Sequence, residues 1–165
     1  MIPGRFGTAR VVKDLTLSGG AGVHEDNLFL VQGPVHIHCL WGAIEEQLAN
    51  LLSNARFDLY DGSATDLTTG SAISNLPPKS WIGKTVVATK ALKVLNASSA
   101  SFHEPILDVT VPSAGVMAMK TFVVVPNTSV DTYIRFVHGS VGVTSGKIRF
   151  VCEYRTMNSL GISPA

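Results

Sequence analysis

Two stretches near the C-terminal end, residues 132–138 and 147–155, alternate their side-chain character with a period of two. In the second, Ile148, Phe150, Cys152 and Tyr154 fall on one face, while Lys147, Arg149, Glu153 and Arg155 fall mostly on the other. That period belongs to a β-strand with one buried and one solvated face; the apolar residues of a helix recur every three or four positions instead. A short Gly/Ser-rich connection containing Gly142, Ser145 and Gly146 links the two runs, so they read as an antiparallel strand pair closed by a hairpin loop.

The same alternation recurs along most of the chain. Val11, Leu15 and Leu17 alternate with polar residues until the glycine-rich stretch 19–22 ends that strand. Residues 27–31 and 35–43 form two apolar segments around Pro34, which removes a ladder donor and marks a kink or an edge. Residues 56–60 alternate again and close at the turn dipeptide Asp61-Gly62. Residues 85–95, 107–111 and 116–125 resume strand character. The stretch 45–52, where Leu48, Leu51 and Leu52 share a helix face, is the one place that accommodates a helical turn or two. Residues 63–80, rich in Ser, Thr and Gly and carrying Pro77-Pro78, read as a long surface loop of the kind that contacts partners.

About eight or nine strands, with turn signals every ten to fifteen residues and at most one short helix, close most simply as two antiparallel sheets packed face to face. The expected fold is an all-β antiparallel sandwich, a jelly roll or related Greek key. It forms one domain over residues 1–165, with an extended N-terminal arm at 1–7 and a short C-terminal tail at 157–165.

Composition narrows the partners. Charged residues are only 15% of the chain and the formal net charge is +1. No basic cluster exists of the sort that phosphate recognition requires, which argues against nucleic acid. Low charge beside 45% hydrophobic content implies a surface partly covered by partners, with self-association the natural form. No apolar run is long enough for a spanning helix, and the N-terminus lacks the pattern of a signal peptide, so synthesis in a cytoplasm without membrane insertion is expected. Cys39 and Cys152, each on the apolar face of a strand, read as buried free thiols.

Catalytic and metal motifs are weak. His36 and His38, at i and i+2, point the same way on a strand and resemble the His-x-His pair of cupin metal sites. The first acid after them, however, is Glu45, and the late histidines His103 and His138 lie in no motif. Gly83-Lys84-Thr85 imitates a phosphate loop, but Pro78 stands where the motif needs glycine, and a β-branched run follows where it needs a helix. No Gly-x-Ser-x-Gly elbow occurs, and the acids Glu45, Glu46, Asp58, Asp61 and Asp66 lack calcium-loop or glycosidase spacing. The chain is expected to be a non-enzyme without cofactor or metal. Trp41 alternates with core residues and is expected inside, whereas Trp81 follows the long loop and is a candidate for an interface.

Residues 8–17, 57–62 and 132–136 together resemble small structural proteins of tailed double-stranded DNA phages, with a capsid cement or decoration protein the best fit. The resemblance implies a β-rich homo-oligomer, typically a trimer, that binds the major capsid protein on the outer surface of the head and stabilises the shell. Arg5 and Phe6 in the arm, with Pro77, Pro78 and Trp81 at the long loop, are the expected partner contacts. A tail-fibre or receptor-binding module is the first alternative, and a cupin-like metal enzyme the second.

Overall fold

The computed structural model describes residues 8–84, 92–95, 106–107, 118–119, 121–142 and 144–165. In chain order the strands are β1 (Ala9–Thr16), β2 (Gly22–Val31), β3 (Val35–Ala49), β4 (Leu51–Tyr60), β5 (Ala64–Asp66), β6 (Ser71–Ser74) and β7 (Trp81–Lys84). They continue as β8 (Leu92–Leu95), β9 (Ile106–Leu107), β10 (Ala118–Met119), β11 (Phe122–Val124), β12 (Thr132–Ser140), β13 (Ser145–Thr156) and β14 (Ile162–Pro164). No helix occurs among the described residues.

The strands form an antiparallel sandwich. One sheet has the order β1-β13-β3-β7-β8, with β11 on the other part of β3; the second has the order β14-β2-β12-β4-β5, with β6 beside β4. The pairing is nested, since β1 pairs with β13, β2 with β12, β3 with β7 and β4 with β5. That nesting is a jelly roll. The short parallel pair β9–β10 lies against β3 and β7.

Inward-facing residues of the two sheets meet in one core. Phe150 of the first sheet packs against Phe57 and Phe136 of the second, with ring centroids 5.8 and 5.0 Å away, and all three rings are fully buried. Gly42, opposite Phe150 on β3, leaves the space that ring occupies: a Cβ there would stand 3.0 Å from Phe150 and 2.9 Å from Ile148.

Several sequence expectations need correction. Residues 132–138 and 147–155 are strands, but they do not pair with each other. β12 lies in the second sheet and β13 in the first, so their connection crosses between sheets rather than closing a hairpin. Residues 45–52 are the end of β3 and the start of β4, joined through Asn50 at φ +69°. Leu48 and Leu52 are buried on two different strands, and a tight corner reproduces the spacing of a helix face. Residues 63–80 are not one loop but carry β5 and β6. There Thr68, Ile73 and Leu76 are buried, and the Thr68 hydroxyl accepts the Phe57 N–H at 3.0 Å. The C-terminal stretch adds β14, whose Ile162 is buried against β2. Of the 85–95, 107–111 and 116–125 runs, only residues 92–95, 107, 118–119 and 121–125 are described. The arm with Arg5 and Phe6, and His103, lie outside the described residues.

A polar lock spans the outer face of the second sheet. Arg135 of β12 donates to both carboxylate oxygens of Asp58 on β4, at 2.8 and 2.6 Å, and to Glu25 on β2 at 2.7 Å. Its guanidinium also lies 4.5 Å from the Tyr60 ring centroid. The hydrogen bond to Asp58, with the Asp58 and Glu25 charges, holds the Arg135 pKa above its ordinary value.

Candidate interaction face

The outer face of the β1–β13–β3–β7 sheet carries the densest grouping of chemically distinctive side chains, and a β-bulge creates it. Val35 and Ile37 point into the core, and strict alternation would send Cys39 and Trp41 after them. The register against β13 slips between Glu153 and Tyr154, opposite Cys39 and Ile37, so His38 is an extra residue. Beyond it the phase reverses. Leu40 and Ile44 enter the core, whereas Cys39, Trp41 and Ala43 turn outward with Val151 and Trp81 into a second, separate apolar cluster. Trp41 is therefore buried as expected, but outside the main core, and His36 and His38, which strict alternation would set opposite it, share its face.

Within this cluster the Trp41 and Trp81 rings stack at 4.4 Å and 16°, and the Arg10 guanidinium lies 5.9 Å from the Trp41 ring. To arrive there the Arg10 arm must cross β13, where Val151 sits between Val12 and Trp41 in register. Val151, on the outer face, is fully buried. Beside Trp81 an open groove of about 570 Å³ is lined by Ala43, Ile44, Glu45, Pro78 and Lys79. Pro78 and Trp81 thus lie together on this groove, while Pro77 is half-buried and turns the chain by accepting the Ser80 N–H through its carbonyl at 3.2 Å.

Next to the apolar strip lies a charge lattice across three strands. Arg149 donates to Asp14 at 2.9 Å and to Glu45 at 2.8 Å; Lys147 approaches Asp14 at 3.6 Å and Glu45 at 3.4 Å. The hydrogen bond from Arg149 lowers the Asp14 pKa, against a smaller opposing effect of burial, and Asp14 in turn raises that of Arg149.

Among the described residues the histidines do not assemble a metal site. His36 and His38 stand 4.4 Å apart, tilted at 44°, on the outside of the sheet. Among the described residues no three His, Cys, Asp or Glu side chains gather as a metal-ligand set. Cys152 lies in the core, where burial pushes its thiol far above the ordinary range, and Cys39 lies in the outer cluster, so the two thiols occupy opposite faces of neighbouring strands.

A second polar cluster escaped sequence reasoning. His24 of β2 is in register with His138 of β12, and their rings stack at 5.0 Å. His138 Nε2 is 3.4 Å from Asp26, His24 Nε2 is 3.0 Å from the Gly20 carbonyl, and Ser140 Oγ donates to that carbonyl at 2.5 Å. The residue types match a hydrolytic triad, but the wiring does not. Asp26 faces His138, whereas Ser140 neighbours His24, so no acid orients the imidazole beside the hydroxyl. The adjoining cavity of about 60 Å³ is far below the size of a substrate pocket. Only the strand register brings these residues together, and no motif in the sequence announces that register.

No family model matches the chain, and no curated protein or solved structure matches it either.

Proposed function

We propose that this chain is a non-enzymatic structural protein of a tailed-phage virion, a capsid cement or decoration protein that self-associates and binds the major capsid protein on the outer head surface. The observation that carries its assembling character is the outer Trp41–Trp81–Arg10 face, which joins two tryptophans and an arginine, the residue types that dominate protein interfaces. It is built on a sheet whose other side already fills a complete core, so the fold itself does not require it. The phage assignment rests on the sequence resemblance. The jelly roll agrees with it, being a fold used by viral capsid and lectin domains as well as cupins.

A cement protein acts by binding the assembled lattice better than free subunits, which stabilises the shell by mass action. A stiff sandwich loses little conformational freedom on docking, and many copies multiply a modest contact. In this reading the groove at Pro78, Lys79 and Trp81 meets the shell together with the arm bearing Arg5 and Phe6. A tail-fibre or receptor-binding module is the second reading. It is favoured by a separate cleft of about 370 Å³ lined by Gln32, Asn127, Thr128 and Ser129, whose amides and hydroxyls suit sugar hydroxyls.

Cryo-electron microscopy of purified virions tests both. Regular density for this chain on the outside of the head supports the cement reading. Density at the tail tip transfers the function to adsorption, and absence from the particle overturns the virion assignment.

A further inference from the structure

The β1–β2 and β12–β13 connections each carry the chain from one sheet to the other, and they meet at the same end of the sandwich. Gly19 and Thr144 form an isolated bridge there. The Thr144 N–H donates to the Gly19 carbonyl at 2.9 Å, and the Leu17 N–H donates to the Gly146 carbonyl at 2.9 Å. Against this junction lies the stacked pair His24 and His138, with 5.0 Å between ring centroids, and Gly19, Thr144 and both histidines line the same small cavity.

Imidazole is the side chain whose charge ordinarily changes between pH 5 and 8. Few charged groups face this pair. β2 supplies His24 and Asp26, and β12 supplies His138, whereas Thr16, Leu17, Ser18 and Gly19 on one side and Thr144 on the other bring no charge. On β4, the other neighbour of β12, Arg56 is opposite Val137 and is already paired with Asp66; Glu25 of β2 is paired with Arg135. A single positive charge on the stack therefore has Asp26, 3.4 Å from His138 Nε2, as its counter-ion. Two positive charges share that one carboxylate and repel across 5.0 Å, where burial of the His138 side chain to 2% exposure leaves little solvent to screen them. His138 Nδ1 is buried and has no hydrogen-bond partner among the described residues, so no fixed donor holds that nitrogen unprotonated. The cavity of about 60 Å³ beside the ring is large enough for water, which serves either form.

Movement of His24 is coupled to the junction. Its Nε2 lies 3.0 Å from the Gly20 carbonyl, which also accepts from Ser140 Oγ at 2.5 Å. Gly19 packs so closely on the ring that a Cβ there would stand 2.4 Å from His24 Cε1. A ring pushed away from His138 therefore displaces Gly19 and Gly20, and with Gly19 goes the acceptor of the Thr144 N–H. Gly19, Gly20 and Gly22 give this segment the backbone freedom to swing.

We infer that the His24–His138 pair is an acid-sensitive latch: when both imidazoles are charged, their repulsion frees residues 17–22 from Thr144 and loosens the crossing between the sheets at this end of the sandwich. The buried residues of the main core include no histidine, so the core stays folded while the latch opens. The inference is independent of where in a particle the chain acts.

Amide hydrogen exchange on the full chain at about pH 7.5 and about pH 5 tests this, read as protection factors so that the pH dependence of intrinsic exchange is removed. The Leu17 and Thr144 amides are expected to lose at least roughly tenfold in protection at the lower pH, while the β13 amides around Phe150 keep theirs. His24→Gln retains a donor for the Gly20 carbonyl and His138→Gln retains one for Asp26, but neither side chain takes a proton. Each variant, with its fold verified by circular dichroism, is expected to lose the acid response, whereas His36→Gln on the outer face of the first sheet keeps it. Should one of the two latch variants fail to fold, the other and the parent measurement still decide. Equal protection at both pH values in the parent, a fall that extends to β13, or a fall that persists in folded His24→Gln or His138→Gln overturns the inference.

Discussion

Replacing Asp58 with leucine tests whether the Arg135 lock holds the second sheet together. The side chains of Arg135 and Asp58 are only 6% and 1% exposed, and the pair is bidentate, so removing Asp58 strands a buried cation. Breaking a buried pair from one side costs about 3–5 kcal/mol. Glu25 still reaches Arg135 at 2.7 Å and is itself 54% exposed, which places Asp58→Leu near the lower end of that range. Arg135→Met leaves Asp58 buried without this partner and belongs near the upper end. For a chain of 165 residues, losses of this size lower Tm by roughly 6–20 °C. The double variant Asp58→Leu/Arg135→Met removes both charges and leaves an apolar pair, so it is expected within about 1–2 kcal/mol of the parent protein. Urea unfolding followed by the fluorescence of Trp41 and Trp81 gives all four corners of the cycle. If the double variant loses as much as the two single variants combined, the lock is not an electrostatic unit. If Asp58→Leu loses under about 1 kcal/mol, the cation is not truly buried, and the reasoning fails.

Two further outcomes follow from the packing and the charge lattice. Gly42→Ala forces a methyl group against Phe150 and Ile148, and an unfolding free energy lower by about 1–3 kcal/mol is expected; equal stability would show that the aromatic core can shift. Asp14 has a folded-state pKa below its unfolded value. Its contribution is therefore fully present above the unfolded value of about 3.9 and is lost as pH falls through the lower folded value. With its side chain 39% exposed, that contribution is under about 1 kcal/mol. Asp14→Asn is expected to flatten the stability curve below about pH 4, and an unchanged slope there counts against the assignment.

The sandwich was readable because solvent writes its own pattern into a strand: Ile148, Phe150 and Cys152 alternate with Lys147 and Arg149, and burial follows that alternation along β13 except at Val151, which is buried on the outer face. Pairing was not readable. β12 and β13 look like a hairpin because they are close in sequence and separated by glycines, and only the whole set of strands decides that each belongs beside a different neighbour. Leu48 and Leu52 misled for a related reason, since four residues make either one helical turn or a corner between two strands. The Arg135–Asp58 lock and the His24–His138 stack were invisible because their members are far apart in sequence and meet only through register. Trp81 and Pro78 were reachable because an aromatic residue after a proline pair stands out without knowledge of the fold.

The bulge at His38 explains why the outer face escaped an otherwise accurate alternation. Counting from Val35 in steps of two puts Cys39 and Trp41 among the core residues, and every residue type in that count is apolar enough to agree. One additional residue reverses the phase, and the same two side chains become the centre of an exterior cluster with Trp81, Val151 and the arm of Arg10. A strand whose two faces are both apolar cannot reveal such a reversal, because exchanging its faces leaves the hydrophobic pattern intact. The neighbouring strand does hold the information. On β13 the residue in register with Trp41 is Val151, an apolar residue flanked by Arg149 and Glu153 on the charged face. An isolated valine in a charged row is therefore the sequence sign that something apolar lies beside it on the outside, and here that neighbour is the tryptophan displaced by the bulge.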